Sequence, residues 1–330
     1  MHRQKKLKCL DLFSGIGGNA LALRPICKTI AYCEIDPFAR DVLEANMKRK
    51  NLDKAPIFPD VTKLKATDLP ALPDVITASF PCQDISLAGK GAGITGDRSN
   101  LYIHIIRLVR EIRAQRNHKV DIVLMENSPM IVHRGLPVVV KQMNRIGYTC
   151  KWIYQDAASI GAKHLRRRWF MMCTINGSSV VPREILSNFD FEKLEDIPRL
   201  VGKGGGEFKR LCALGNAVVP LAVSTAWNKL MGYSHRISED FDPQTIMVYP
   251  DRTVKSMWPT PLHNLRTWTP YPTFDGRRFG MLSVRVFHEK DTKLAFGYSN
   301  VKIARTVWMI NPMWVEALMG YPDDWTKHFD

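Results

Sequence analysis

A chain of 330 residues, 45% apolar and 24% charged, is too long for one small core and too apolar for a disordered tail or a fibre. It fits one large domain plus a smaller lobe, because single cores stop growing near roughly 250–300 residues. Lys and Arg number 47 against 32 Asp and Glu, a formal charge of +15. That excess favours a polyanionic partner, nucleic acid first, through phosphate contacts and counterion release, although a basic surface that binds nothing stays open on charge alone.

The seven cysteines are odd in number and include no C-x-x-C pair, so the expectation is a reducing compartment with neither a disulfide framework nor a metal site. The basic N-terminus leads into an apolar stretch that ends at Asp11, short of a signal-peptide core. No run approaches membrane-spanning length, so a soluble, intracellular protein without a membrane partner is expected.

In chain order, short apolar runs at Leu7–Phe13, Thr29–Cys33, Val75–Ala78, Ile122–Met125 and Trp169–Thr174 read as buried strands. Between them lie segments of helical spacing such as Leu101, Ile105, Leu108, Val109 and Ile112. The alternation predicts an α/β fold with a doubly wound, mostly parallel sheet. Residues 181–209, with Gly202, Gly204, Gly205 and Gly206 among scattered charges, read as a flexible connection. Beyond about residue 232, Pro, Trp, Arg and His interleave without strong periodicity until Val307–Met319, as in a loop-rich recognition lobe.

After the first strand, Asp11-Leu12-Phe13-Ser14-Gly15-Ile16-Gly17-Gly18 supplies glycines for a tight turn that approaches a ligand at a helix N-terminus. Glu34 ends the second strand 19 residues after Gly15, where an acid in such folds accepts hydrogen bonds from ribose hydroxyls. Asp60 sits where a third strand would end; it suits either an adenine amino group or a helix cap or turn. These residues point to an adenosine-type cofactor and leave hydride and methyl chemistry equally open.

Ser79-Phe80-Pro81-Cys82-Gln83-Asp84 places a cysteine at the carboxyl edge of the sheet, where open α/β folds bind ligands. An unperturbed thiol is only about 3% thiolate at pH 7, so a nucleophilic role demands an activating neighbour. Glu126-Asn127-Ser128-Pro129 brings a carboxyl group to the same edge. In His164-Leu165-Arg166-Arg167-Arg168, Arg166 and Arg168 alternate on one face and can reach a shared cleft; a solvated basic loop is the plainer reading.

Taken together and in this order, Asp11–Gly18, Glu34, Asp60, Pro81-Cys82-Gln83, Glu126-Asn127, Arg166-x-Arg168 and Gly215-Asn216-Ala217-Val218-Val219-Pro220 resemble the C5-cytosine DNA methyltransferase family. The resemblance covers roughly residues 7–230. It implies a Rossmann-like S-adenosylmethionine-dependent methyltransferase fold and transfer of a methyl group to C5 of a flipped-out cytosine in a specific duplex sequence. Cys82 would attack C6, Glu126 would bind the ring and favour protonation at N3, and Arg166 or Arg168 would hold the carbonyl oxygen. Asp11, Phe13, Ser14, Gly15, Gly17, Glu34, Ile35, Asp60, Val61, Pro81, Leu101, Asn216 and Val218 would contact S-adenosylmethionine. The glycine-rich loop Gln83–Asp97 would close over the base as a lid. Double-stranded DNA is the implied partner of a monomer, with room for a cognate restriction endonuclease.

The order of segments departs from the family. Only about 40 residues separate Arg166–Phe170 from Gly215, too few for the usual recognition domain, and about 110 follow it. Asn311-Pro312-Met313-Trp314 through Pro322 resembles a helix and turn that most members place before the Gly-Asn segment, a rearrangement some phage and viral enzymes share. The expected division is a catalytic domain over 1–231, a target-recognition region over 232–305 and a C-terminal helix and turn over 306–330 packing back on the core. The rival readings are an RNA cytosine-5 methyltransferase, a catalytically inactive DNA-binding regulator and, least of all, a nicotinamide oxidoreductase.

Overall fold

Seven strands hydrogen-bond into one sheet: β1 (Leu7–Leu12), β2 (Cys27–Cys33), β3 (Ile57–Phe58), β4 (Val75–Ala78), β5 (Ile122–Asn127), β6 (Tyr148–Asp156) and β7 (Arg167–Ile175). Their order is β3-β2-β1-β4-β5-β7-β6. The computed structural model describes residues 5–81, 99–115, 118–162, 164, 166–178, 184–186, 200–202, 207–233 and 308–327. Cys82, the loop Gln83–Asp97 and nearly all of 232–305 lie outside the described residues.

The chain divides into two compact units. One is drawn from 1–156, 167–188 and 220–236, the other from 157–166, 189–219 and 237–330. In the first, β1 through β5 pair in parallel, and β4 and β5 are buried along their whole length, which is why they read as unbroken apolar runs. The sheet is mostly parallel, as the alternation of elements predicts. The Trp169–Thr174 run, however, belongs to a strand antiparallel to both β5 and β6.

Helices cover both faces. On one, α3 (Ile103–Ala114) buries Ile105, Leu108, Val109 and Ile112 of the predicted stripe and Ile106 beside them, while Leu101 lies before the helix. It shares a core with Val139 and Met143 of α5 (Leu136–Arg145) and with Leu10, Leu12, Ile76 and Met125 of the sheet. The opposite face meets α1 (Gly18–Leu23) and α7 (Pro220–Met231). Among the described residues this unit also holds α2 (Pro37–Lys48), capped by Asp36 with Pro37 in its first turn, and the short α4 (Ile131–Arg134).

The second unit includes α6 (Glu207–Asn216), α8 (Pro312–Leu318) and a two-stranded sheet of β8 (Leu200–Gly202) with β9 (Trp308–Ile310). The 181–209 segment therefore contains β8 and the start of α6, where glycine and charge suggested only a connection. The helical stretch Lys209–Met231 is long and apolar enough to cross a membrane, a length that no run in the sequence was expected to approach. It is nevertheless 78% buried and pauses at 217–219, as suits core helices.

Two local features fix the carboxyl edge of β1 and β4. Asp11 and Thr77 are register partners on adjacent parallel strands, so their side chains stand together on the face that α1 covers. Thr77 Oγ1 donates to Asp11 Oδ1 at 2.6 Å, and Asn19 Nδ2 of α1 reaches the same oxygen at 3.4 Å. Asp11 is wholly buried, and its Oδ2 has no hydrogen-bond partner among the described residues. Desolvation pushes this carboxyl up to about 7; the Thr77, Asn19 and Ser14 hydrogen bonds pull it back only in part, and Glu34 adds a smaller repulsion.

The glycine turn is the second feature. Gly15 and Gly17 have φ of 53° and 88°. A Cβ at Gly17 would sit 2.7 Å from Leu52 Cδ1 and 3.0 Å from Leu43 Cδ2, both buried, whereas at Gly15 no described atom lies within 4 Å.

Gly17→Ala should therefore lower stability by about 1–3 kcal/mol, through strain and overpacking together. Gly15→Ala should lose only the left-handed backbone penalty of about 1 kcal/mol; urea midpoints distinguish the two. For Asp11, the unfolded chain ionises near 3.8 while the folded protein keeps its proton until about 7. Stability should thus fall as pH rises between those values and level off above them. Asp11→Asn removes the ionisation, so its melting temperature should gain on the natural protein's between pH 5 and pH 8; a gap independent of pH would rule out Asp11 as the source.

Candidate active site

Beyond Leu12 the backbone turns through left-handed conformations at Phe13, Gly15 and Gly17. Ser14 is buried here, and its side chain joins strand ends. Its Oγ donates to the Asp11 carbonyl at 2.7 Å and accepts from Cys33 N at 3.2 Å, while Ser14 N donates to the Cys33 carbonyl at 3.0 Å. The ends of β1 and β2 are thereby locked together, which delivers Glu34 to the turn. Gly15 N donates to Glu34 Oε2 at 2.7 Å and Asp36 N to Oε1 at 2.8 Å. Burial raises the Glu34 pKa, and these two backbone donors oppose the rise.

Arg40 of α2 reaches back with Nη1 to the carbonyls of Glu34 and Ile35, at 3.1 and 2.7 Å. That contact holds the loop with the Ile35 side chain 75% exposed, an apolar surface beside an acid.

Asp60 follows β3 by two residues. Its Oδ1 accepts from Thr62 N at 2.9 Å and from Thr62 Oγ1 at 2.7 Å, and Oδ2 stands 3.7 Å from Lys63 Nζ. The Thr62 hydrogen bonds, with Lys63, hold its carboxyl below the usual range. The turn role is therefore filled, and Oδ2 has no hydrogen-bond donor as close as those on Oδ1. Val61 is buried, its carbonyl taken by Arg107 Nη2 at 2.8 Å, and Leu101 packs against the core just before α3.

At the end of β5, Glu126 and Arg168 meet, Arg168 Nε standing 3.2 Å from Glu126 Oε1. Register explains the encounter: Glu126 pairs with Phe170 across the β5–β7 ladder, so Arg168, two residues away, projects from the same face. Asp11 and Thr77 share that face. Next to Glu126, Asn127 Nδ2 donates to the Phe80 carbonyl at 2.9 Å and its Oδ1 accepts from Ser128 N at 2.8 Å. The residues leading into Pro81 and Cys82 are thus tied to β5.

The two arginines do not share one environment. Arg166 precedes β7, belongs to the second unit and is buried, with Nη2 directed at the carbonyls of Gly215 and Ala217 at 3.3 and 2.5 Å. Asn216 between them is exposed, whereas Val218 is buried and its carbonyl accepts from Tyr321 Oη at 2.8 Å. In the same unit Arg210 of α6 bonds Glu316 Oε1 of α8 at 2.9 Å and Thr326 Oγ1 at 2.8 Å, so the C-terminal helix rests on the helix that ends in the Gly-Asn segment.

Three residues in this edge escaped the sequence reading. Buried Asn19 and Thr77 meet at Asp11, and Asn19 Nδ2 extends the link to half-buried Ser79 Oγ at 3.1 Å. Their signal was present, since a threonine inside an apolar four-residue strand and an asparagine in an otherwise apolar helix are polar groups that burial forces to find partners.

Comparison with known proteins agrees with this geometry. Residues 7–330 match the family C-5 cytosine-specific DNA methylase. The type II methyltransferase M.CviJI of Paramecium bursaria Chlorella virus IL3A is 35% identical over 229 residues, 68% of this chain and 59% of that protein. M2.BsuMI of Bacillus subtilis (strain 168) is 30% identical over 204 residues, covering 60% and 48% of the two chains. M.HhaI of Haemophilus parahaemolyticus is 31% identical over 192 residues, covering 57% and 53%. The chain spans about half of the length of these relatives. The family match takes in the glycine turn, the Glu126–Arg168 pair and the Gly-Asn segment alike, and the chain belongs to the C-5 cytosine-specific DNA methylase family.

Proposed function

We propose that this protein is a DNA (cytosine-5)-methyltransferase that uses S-adenosylmethionine and the thiolate of Cys82. The observation that carries the reading is the Glu126–Arg168 pair at 3.2 Å, an acid and a donor fork set side by side at the strand end that also anchors the approach to Cys82 through Asn127.

The residues suit the cofactor. Glu34 receives one backbone N–H on each carboxylate oxygen and keeps lone pairs for ribose hydroxyls, exposed Ile35 offers a flat apolar surface to a purine, and Asp60 Oδ2 suits an exocyclic amine. Phe13, Gly15, Gly17, Val61, Pro81 and Leu101 would line the cofactor further, with Asp11 and Ser14 holding the turn, and on the family's pattern Asn216 and Val218 are cofactor contacts as well. S-adenosylmethionine supplies an electrophilic methyl group on a sulfonium.

Cys82 attacks C6 of a flipped cytosine, and the electron pair displaced from the ring's double bond builds up at C5. Glu126 hydrogen-bonds the ring edge and favours protonation at N3, which drains charge from the ring as the thiolate adds. Arg168, beside Glu126, holds the carbonyl oxygen; Arg166, directed at Gly215 and Ala217, keeps the Gly-Asn segment in place. After C5 has accepted the methyl group, loss of the C5 proton and departure of Cys82 restore the aromatic ring. The flip itself costs on the order of a few kcal/mol, which phosphate contacts from a chain of charge +15 help to offset. We further infer that residues 232–305 read the target sequence in duplex DNA, and that methylation of this kind serves to mark DNA against a cognate endonuclease.

Single-base mapping of 5-methylcytosine in plasmid DNA incubated with S-adenosylmethionine should reveal one sequence context and no signal with Cys82→Ala; methylation only of RNA, or of neither, would overturn the reading. Arg168→Ala should slow methyl transfer about 10²–10³-fold, as loss of a donor to developing charge does, with little change in melting temperature. Arg166→Ala should instead lower the melting temperature, since it leaves buried carbonyls without a donor at about 1–3 kcal/mol. Deleting 232–305 should abolish selective DNA binding and leave S-adenosylmethionine affinity measurable; retained selectivity would place recognition elsewhere.

A further inference from the structure

The segment Ser79–Phe80, which enters Pro81-Cys82, is held from two sides. From β5, Asn127 Nδ2 takes the Phe80 carbonyl at 2.9 Å. From α1, Asn19 Nδ2 takes Ser79 Oγ at 3.1 Å, and the same nitrogen reaches Asp11 Oδ1 at 3.4 Å. An amide nitrogen has two hydrogens, so Asn19 spends one on each strand.

Asp11 in turn belongs to the cofactor turn through its backbone, since Ser14 Oγ donates to the Asp11 carbonyl at 2.7 Å. Thr77, the register partner of Asp11, donates to the oxygen that Asn19 also reaches. The path runs from the glycine turn through Asp11 and Asn19 to Ser79, three residues before Cys82. Asp11 and Asn19 are buried, so water cannot substitute cheaply for either bond.

We propose that Asn19 is a positioning residue that couples the cofactor turn to the chain segment leading to the nucleophile, fixing Ser79 against Asp11 through paired hydrogen bonds. The inference rests on the methyltransferase reading above. Asn19 acts through Asp11 and Ser79, fixing the spacing between the ends of β1 and β4. Proximity of this kind enters the rate of the step in which Cys82 and the base combine, and leaves the cofactor's own contacts intact.

The test is a double-mutant cycle with Asn19→Ala, Ser79→Ala and the double variant. Its two readouts are the rate of covalent adduct formation with a duplex carrying 5-fluorocytosine at the mapped target position and the S-adenosylmethionine dissociation constant. Each single variant should slow the adduct by about tenfold, the rate equivalent of one hydrogen bond. The double variant should be no slower than the slower single, and cofactor affinity should stay within about twofold throughout. Ser79→Ala breaks the link from its less buried end, so the proposal is still tested if Asn19→Ala folds poorly.

Multiplicative slowing, unchanged rates, or a loss of cofactor affinity parallel to the loss of rate would overturn the coupling. If the natural protein forms no adduct and methylates no DNA, the functional reading fails and the coupling with it; an active natural protein with independent variants overturns the coupling alone.

Discussion

Taking the Asp11 carboxyl out of water raises its pKa to about 7, so the sheet holds at its centre a group that solvent would stabilise better. Its position explains why it is there. Asp11 lies one residue before the end of β1, at the point where strand order reverses between β1 and β4, the crevice where open α/β sheets bring groups on separate strands together. One carboxyl oxygen gathers donors from β4 and from α1, and its backbone carbonyl holds the turn. An apolar residue of the same volume would pack as well, but it would leave Thr77 and Asn19 without an acceptor and the two strand ends without a fixed spacing.

The rest of the edge inherits that spacing. With β1 fixed, Ser14 joins β1 to β2, and Glu34 lands where the Gly15 amide can reach it. With β4 fixed, Phe80 lies within reach of Asn127, whose neighbour Glu126 shares the face of Asp11 because every register in between is parallel and unshifted. Antiparallel β7 then contributes its amino-terminal end to the edge where the parallel strands contribute their carboxyl ends. That reversal allows Arg168, near the start of one strand, to meet Glu126, near the end of another.

The parallel core was legible in the sequence because burial on both faces writes itself as apolar runs: Val75–Ala78 and Ile122–Met125 are buried as the runs imply. The strand β6 was not legible. It lies at the edge of the sheet, and Thr149, Lys151, Trp152 and Tyr154 are exposed along it, so no apolar run marks it. Candidate site residues were visible as types at strand ends, but not what each one touches. The Ser14 hydroxyl, for instance, bonds the backbone of Asp11 and Cys33, partners that its place in the turn does not announce. Asp60 looked equally like a turn residue and a ligand acceptor, and its Oδ1 fills the turn role through Thr62 while Oδ2 faces Lys63.

Arg166 and Arg168 carry the same argument further. Alternation in an extended segment puts both on one face, and the sequence could not choose between them as the group that holds a base. The difference comes from where the strand begins. β7 starts at Arg167, which places Arg168 in the ladder beside Glu126 and leaves Arg166 outside it. There, Arg166 meets the end of α6, where carbonyls at a helix C-terminus lack intrahelical donors and carry the negative end of the helix dipole. A buried guanidinium with five donors suits that place better than any neutral residue. Arg166 and Arg168 thus meet two different electrostatic partners, the carbonyls at a helix end and the Glu126 carboxylate, and neither partner is visible until the strand register is known.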